Sequence, residues 1–146
     1  MQSESLACFI DVLLPLPLPG YFTYRVPFAL ADNICIGQRV IVQFGRSKIY
    51  TAIICRIHDK PPQGYEAKYI LSLLDESPVV NETQMKFWEW MSGYYLCHPG
   101  EVMNAALPSG FKLSSQTRIS MNPEVVFDAK QLTKKEILLF EALKNR

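Results

Sequence analysis

Residues 14–20 read Leu-Pro-Leu-Pro-Leu-Pro-Gly, and no other stretch limits the fold so sharply. Each proline fixes φ, removes a backbone donor and disfavours helix in the residue before it. The run is therefore expected to be a rigid, extended arm in polyproline II or edge-strand geometry, leading straight into Tyr21, Phe22, Thr23 and Tyr24. The apolar stretch that holds it, residues 8–18, is too short to span a bilayer and is broken by Pro15 and Pro17. Residues 1–7 carry one acid and no base, so they lack the positive start of a secretory signal. A cytoplasmic chain with no membrane partner is expected. Cys8, Cys35, Cys55 and Cys97 form no closely spaced pair, which argues against zinc ribbons, CxxC redox sites and a disulfide framework and favours buried free thiols.

Downstream of the arm the pattern is that of strands. Residues 22–26 place Phe22, Tyr24 and Val26 on one face, and residues 39–44 place Val40, Val42 and Phe44 likewise. Residues 49–57 are a third β-rich run. Gly45, Arg46, Ser47 and Lys48 between the last two predict a hairpin tipped by cations, with Gly45 where a positive φ is needed. Residues 60–64 (KPPQG) break the sheet, and a short strand over 68–74 would close a small antiparallel barrel or sandwich.

The net charge of the chain is only +1, which excludes a strongly basic arm but conceals an uneven distribution. Residues 39–68 sum to +4 through Arg39, Arg46, Lys48, Arg56, Lys60 and Lys68 against Asp59 and Glu66. Residues 69–105 sum to −4, with Lys86 against five acids. A basic strand region followed by an acidic helical one gives one face suited to phosphates, although solvated surface charge produces the same count.

In the acidic region Asn81 and Gln84 form a capping-box pattern ahead of Met85, Phe87, Trp88, Met91, Tyr94 and Tyr95. Those six residues form an apolar face at helical spacing, and Phe87, Trp88, Met91 and Tyr95 are expected to be mainly core. His98, Pro99 and Gly100 are expected to stop it, with a second short helix over 101–107. Residues 112–121 suit an exposed strand or connector. Thr133 and Glu136 form a second capping box that opens a helix through Ile137, Leu138, Phe140, Ala142 and Leu143. It runs to Arg146 with no stop signal and little chain left to cover its apolar face. One complete domain and the opening element of a second are expected.

Enzyme signatures are missing from the sequence: it contains no GxxxxGK[ST], GxGxxG, HExxH or GxSxG, and its two histidines, His58 and His98, stand beside no convincing nucleophile. Four segments instead carry a resemblance: residues 13–27 (LLPLPLPGYFTYRVP), 37–45 (GQRVIVQFG), 67–78 (AKYILSLLDESP) and, most specifically, 90–108 (WMSGYYLCHPGEVMNAALP). In this order they resemble the N-terminal domain of the primosomal replication-restart helicases, the primosomal protein N′ family. Residues 131–146 (QLTKKEILLFEALKNR) are similar to the first helix of the winged-helix domain that follows there.

The resemblance implies an α+β fold, with an OB-like barrel or sandwich and two helices. It divides the chain into a 3′-end DNA-binding domain over 1–113, a linker over 114–130 and an incomplete winged-helix domain over 131–146. It also implies a pocket for the 3′-hydroxyl end of a nascent strand at a stalled or branched fork, made here by Phe22, Thr23, Tyr24, Phe44, Gly45 and Lys68. The chemistry of these residues suits that role: Phe22 or Tyr24 can stack on a base, Gly45 lets the backbone approach the sugar, and Lys68 with Arg46 and Lys48 can neutralise phosphates. Thr23 departs from the aspartate of the well-studied family form. Its hydroxyl still accepts a hydrogen bond but carries no charge, so weaker discrimination between 3′-hydroxyl and 3′-phosphate is expected.

Full-length relatives are ATP-dependent 3′ to 5′ helicases that bind structural zinc, contact single-strand-binding protein and other primosome proteins, and act in the bacterial cytoplasm at nucleoid forks. By resemblance the ATP/Mg site and the zinc cysteines lie beyond Arg146. No cofactor, metal site or catalytic residue is expected in this chain. The competing reading is a protein-interaction barrel, with residues 14–19 as a polyproline ligand and Trp88, Trp90, Tyr94 and Tyr95 as a partner surface.

Overall fold

The computed structural model describes residues 8–112 together with Thr133, Lys135, Ile137 and Glu141. The chain divides into two compact units, residues 1–115 and 116–146. In the second, Lys135, Ile137 and Glu141 are helical and the Ile137 amide donates to the Thr133 carbonyl at 3.0 Å. The expected linker, the strand or connector beyond Lys112 and the rest of the winged-helix element lie outside the described residues.

The first unit is an α+β domain. Strands β1 (Phe9–Leu13), β2 (Phe22–Arg25), β3 (Arg39–Phe44), β4 (Lys48–His58) and β5 (Ser72–Leu73) precede helices α1 (Glu82–Tyr95) and α2 (Pro99–Ala106). The strands form one antiparallel sheet in the order β2-β1-β4-β3-β5. The expected closed barrel does not form, because β5 has two residues and pairs only with β3. A single parallel bridge, Arg25 to Tyr69, links the β2 end of the sheet to the segment before β5. There the Arg25 guanidinium lies 5.4 Å from the ring centroids of both Phe9 and Tyr69, within cation–π range.

Alternation along the strands builds two cores on opposite faces of the sheet. Ile10, Val12, Tyr24, Val40, Val42 and Ile54 are among those packed on one face. On the other, Leu13 and Ile53 meet Val80, Trp88, Val102 and Met103 from the helical layer. Strand β1 serves both by alternation, and the register shift between Asp11 and Val12 leaves Cys55 as an extra residue on β4.

The proline arm is folded rather than extended. The Leu16 amide donates to the Leu14 carbonyl and the Leu18 amide to the Leu16 carbonyl, each at 2.8 Å. Pro15 and Pro17 thus sit at the centres of two consecutive three-residue turns, where a fixed φ favours the bend.

Helix α1 begins as its capping box predicts: Asn81 Oδ1 accepts from the Gln84 amide at 2.8 Å and Gln84 Oε1 from the Asn81 amide at 2.9 Å. It ends at Leu96, which adopts a left-handed φ of 53°. His98 and Pro99 open α2 rather than merely stopping α1, since proline is favoured in a first helical turn and the His98 amide donates to Glu101 Oε2 at 2.9 Å. The expectation that Phe87, Trp88, Met91 and Tyr95 are core holds for Trp88, with Met91 half-buried. Phe87 is 54% exposed and Tyr95 65%. The inward stripe is Met85, Trp88 and Met91, while Phe87, Trp90 and Tyr94 stack on one another outside at 5.9 and 5.3 Å.

The four cysteines are free, but not buried as expected: Cys8, Cys55 and Cys97 are half-buried and Cys35 is exposed. Burial pushes the Cys55 thiol up to about 12, so it stays protonated and unreactive at neutral pH. Among the described residues no helix is long and apolar enough to cross a membrane.

Asp75 fastens the connection after β5 to the start of β3. Its carboxylate accepts from the Arg39 amide at 3.0 Å, Nε at 2.9 Å and Nη2 at 2.6 Å, and the Arg39 hydrogen bonds hold its carboxyl below the usual carboxylate range. A carboxyl whose pKa is lowered by folding contributes stability above the ordinary value near 4 and loses it as pH falls through the folded value. Asp75→Asn is expected to cost about 2 kcal/mol at neutral pH and to flatten the acid limb of stability against pH. Urea unfolding between neutral and acid pH measures this; an acid limb as steep as the parent's would assign it to other carboxyls.

Candidate nucleic-acid interface

A cavity of about 370 Å³ opens between β2 and the β3–β4 hairpin turn and is lined by all six expected residues: Phe22, Thr23, Tyr24, Phe44, Gly45 and Lys68. Strand β2 supplies the first three, the end of β3 and its hairpin turn supply Phe44 and Gly45, and the segment returning toward β5 brings Lys68. The volume is at the small end for ligand pockets.

These residues contribute differently. Phe22 is half-buried and meets Phe44 edge-on at 5.0 Å, so these two rings form an apolar wall. Tyr24 is buried, and its hydroxyl donates to the Gln43 carbonyl at 3.1 Å. Burial pushes that hydroxyl up to about 12; its ring belongs chiefly to the core, which leaves Phe22 as the better stacking surface. Gly45 has a φ of +67°, a conformation that favours glycine. Its carbonyl accepts from Lys68 Nζ at 2.5 Å, and the ammonium keeps further donors for a ligand.

Thr23 is tied at both ends. Its amide donates to the Tyr65 hydroxyl at 3.0 Å, and its own hydroxyl donates to Asp11 Oδ1 at 2.7 Å. Asp11 is its register partner on β1 and also contacts His58 Nε2 at 3.1 Å and Arg56 Nη1 at 3.8 Å. With its proton given to Asp11, the Thr23 oxygen has only lone pairs left to offer, and it lies with Asp11, Arg56 and His58 along a separate depression on the sheet face opposite Phe22 and Tyr24.

Three further lining residues were not anticipated: Gln43, Tyr65 and Glu66. Tyr65 follows the proline-rich break, where no periodicity marks it, and only the long-range bond to Thr23 reveals its place. The side chain of Gln43 closes the hairpin by donating to the Arg46 carbonyl. Arg46 and Lys48, expected to meet phosphates, do not line this cavity. They lie on an adjoining depression of about 470 Å³ that shares Phe44 and Gly45 with it.

Fold and cavity together define a small α+β domain with a shallow, aromatic-walled, lysine-edged pocket between a strand and a hairpin turn of one antiparallel sheet. Residues 11–108 match the profile of the PriA 3′ DNA-binding domain (3′BD) family, and the chain belongs to that family. It is 29% identical over 108 residues to the replication restart protein PriA of Treponema pallidum, covering 71% of this chain and 16% of that protein. To the PriA of Bacillus subtilis it is 30% identical over 100 residues, covering 68% of this chain and 12% of that protein. The chain thus spans 12–16% of the length of these two relatives.

Proposed function

We propose that this domain binds DNA in replication restart by holding the free 3′-hydroxyl end of a nascent strand at a stalled or branched fork, and so orients a helicase there. The convergence of three separate chain segments on one small cavity carries this reading. Phe22 offers a ring to the terminal base, the open backbone at Gly45 admits the sugar, and Lys68 meets phosphate. The Thr23 oxygen, limited to accepting, lies across the β2 edge from the Phe22 ring and suits a 3′-hydroxyl that reaches over that edge to donate; a 3′-phosphate dianion has no proton to give it. On this reading the chain is a binding module, and the ATP, magnesium and zinc sites and the contacts with single-strand-binding protein belong to a longer protein.

Fluorescence anisotropy with a short single strand carrying a 3′-hydroxyl or a 3′-phosphate tests this. The hydroxyl end is expected to bind several-fold more tightly. Exchanging the cross-strand pair, Asp11→Thr with Thr23→Asp, keeps the local charge and moves the carboxylate onto β2, and should widen the preference. Indifference of the parent chain to the 3′ group would reduce the function to generic DNA binding.

A partner-protein surface has one observation in its favour. Trp90, Tyr94 and Tyr95 are each at least 60% exposed on α1, an aromatic patch of the kind found at interfaces. The turned and packed proline arm gives no matching support to a polyproline ligand.

A further inference from the structure

We propose that the depression between the proline arm and the β3–β4 hairpin is a second nucleotide subsite, which takes the base and phosphate of the nucleotide preceding the 3′-terminal one. The proposal rests on the 3′-end reading above and adds a direction and a length to it. Leu16, Pro17 and Leu18 form one side of the depression, Arg46 and Lys48 the other, and Tyr50 lines it with them.

Three observations point to DNA rather than to an apolar partner. The first is continuity: the depression and the end pocket share Phe44 and Gly45, and the space beside the Gly45 Cα is open, since a Cβ built there would meet nothing within 4 Å. The second is a row of rings. Phe22 lies 5.0 Å from Phe44, and Phe44 lies 6.5 Å from Tyr50, which carries an aromatic surface from one cavity into the next. Successive bases of a single strand are held by such platforms with little regard for sequence. The third is charge. No acidic side chain lines the depression, whereas Glu66 lines the end pocket. Arg46 and Lys48 are exposed, and among the described residues neither makes an ion pair.

The order of groups sets the polarity. With the terminal hydroxyl at Thr23, the 5′ side of that nucleotide points toward Phe44 and Gly45, and the chain leaves past the hairpin tip. The depression then receives the next phosphate and base, giving a footprint of two nucleotides, consistent with the near-neutral total charge.

The test is an NMR chemical-shift titration of the intact chain with 5′-phosphorylated oligothymidylates of one, two and three nucleotides, all with a free 3′-hydroxyl. The parent protein is expected to bind the dinucleotide about tenfold tighter than the mononucleotide, with little further gain at three. In Arg46→Ala/Lys48→Ala, and separately in Tyr50→Leu, that ratio should fall toward one; the first pair is exposed, and leucine keeps an apolar side chain at the half-buried position. A parent that binds the mononucleotide with no gain on lengthening sinks the subsite and leaves the end pocket standing. A gain that survives both variants also overturns it. Failure of every oligonucleotide to bind removes the 3′-end reading itself and the subsite with it.

Discussion

Gly100→Ala is expected to destabilise the domain by about 3 kcal/mol, lowering the urea midpoint without changing the slope. A Cβ at Gly100 would lie 2.3 Å from the carbonyl oxygens of both Leu14 and Leu16 and 3.1 Å from the Leu16 nitrogen. All three are backbone atoms, so no rotamer change relieves the overlap. The arm cannot retreat easily: its two turns are closed by hydrogen bonds from the Leu16 and Leu18 amides, and Leu14 is only 2% exposed within the sheet core. Nor can α2 retreat without withdrawing Val102 and Met103 from the second core. A matched control sits in α1, where Gly93→Ala meets nothing within 4 Å and should gain up to about 1 kcal/mol from helix propensity alone. The same substitution in neighbouring helices thus has opposite signs. Equal effects at the two positions would mean that the arm and α2 are not in this contact.

That contact also shows where sequence reading reaches its limit. Strands β2 and β3 are legible because alternation reports a half-buried face, β4 because its residues are β-rich although it packs on both faces, and the β3–β4 hairpin because Gly45 answers a local backbone demand. Strand β1 is not. It packs residues on both faces of the sheet and merges into the prolines, so it reads as one apolar run without a period. The arm is misread for a related reason: proline fixes φ but leaves ψ open, and ψ separates an extended arm from the two turns observed. In α1, residues 85, 88 and 91 and residues 87, 90 and 94 are both helical stripes, and only tertiary packing decides which one turns inward.

The site divides in the same way. Resemblance brings Phe22, Thr23, Tyr24, Phe44, Gly45 and Lys68 to attention, and elementary chemistry gives them plausible roles. Asp11 and Tyr65 escape both, since each acts through Thr23 from 12 and 42 residues away. Strand register and loop return create those neighbours, and no local pattern encodes either. Tyr24 shows the reverse: sequence allows it to stack or to pack, and its burial resolves the choice.

Lys68→Glu is the substitution expected to reduce DNA binding most, by about 10- to 100-fold at low salt. Reversal removes one phosphate-neutralising charge and places a carboxylate beside Glu66, which already lines the same cavity. The slope of log affinity against log salt should fall by about one, the signature of one lost phosphate contact. Lys68 also donates to the Gly45 carbonyl at 2.5 Å, so part of any loss could come from a freed hairpin turn. Lys68→Gln separates the two effects, because its amide can still donate to that carbonyl but cannot neutralise phosphate. If the lysine acts on DNA, glutamine loses the salt-dependent part and glutamate loses more. Should glutamine bind like the parent with an unchanged salt slope while glutamate fails, the lysine's work is to hold the Gly45 turn, and the phosphate must be met by Arg46 and Lys48 alone.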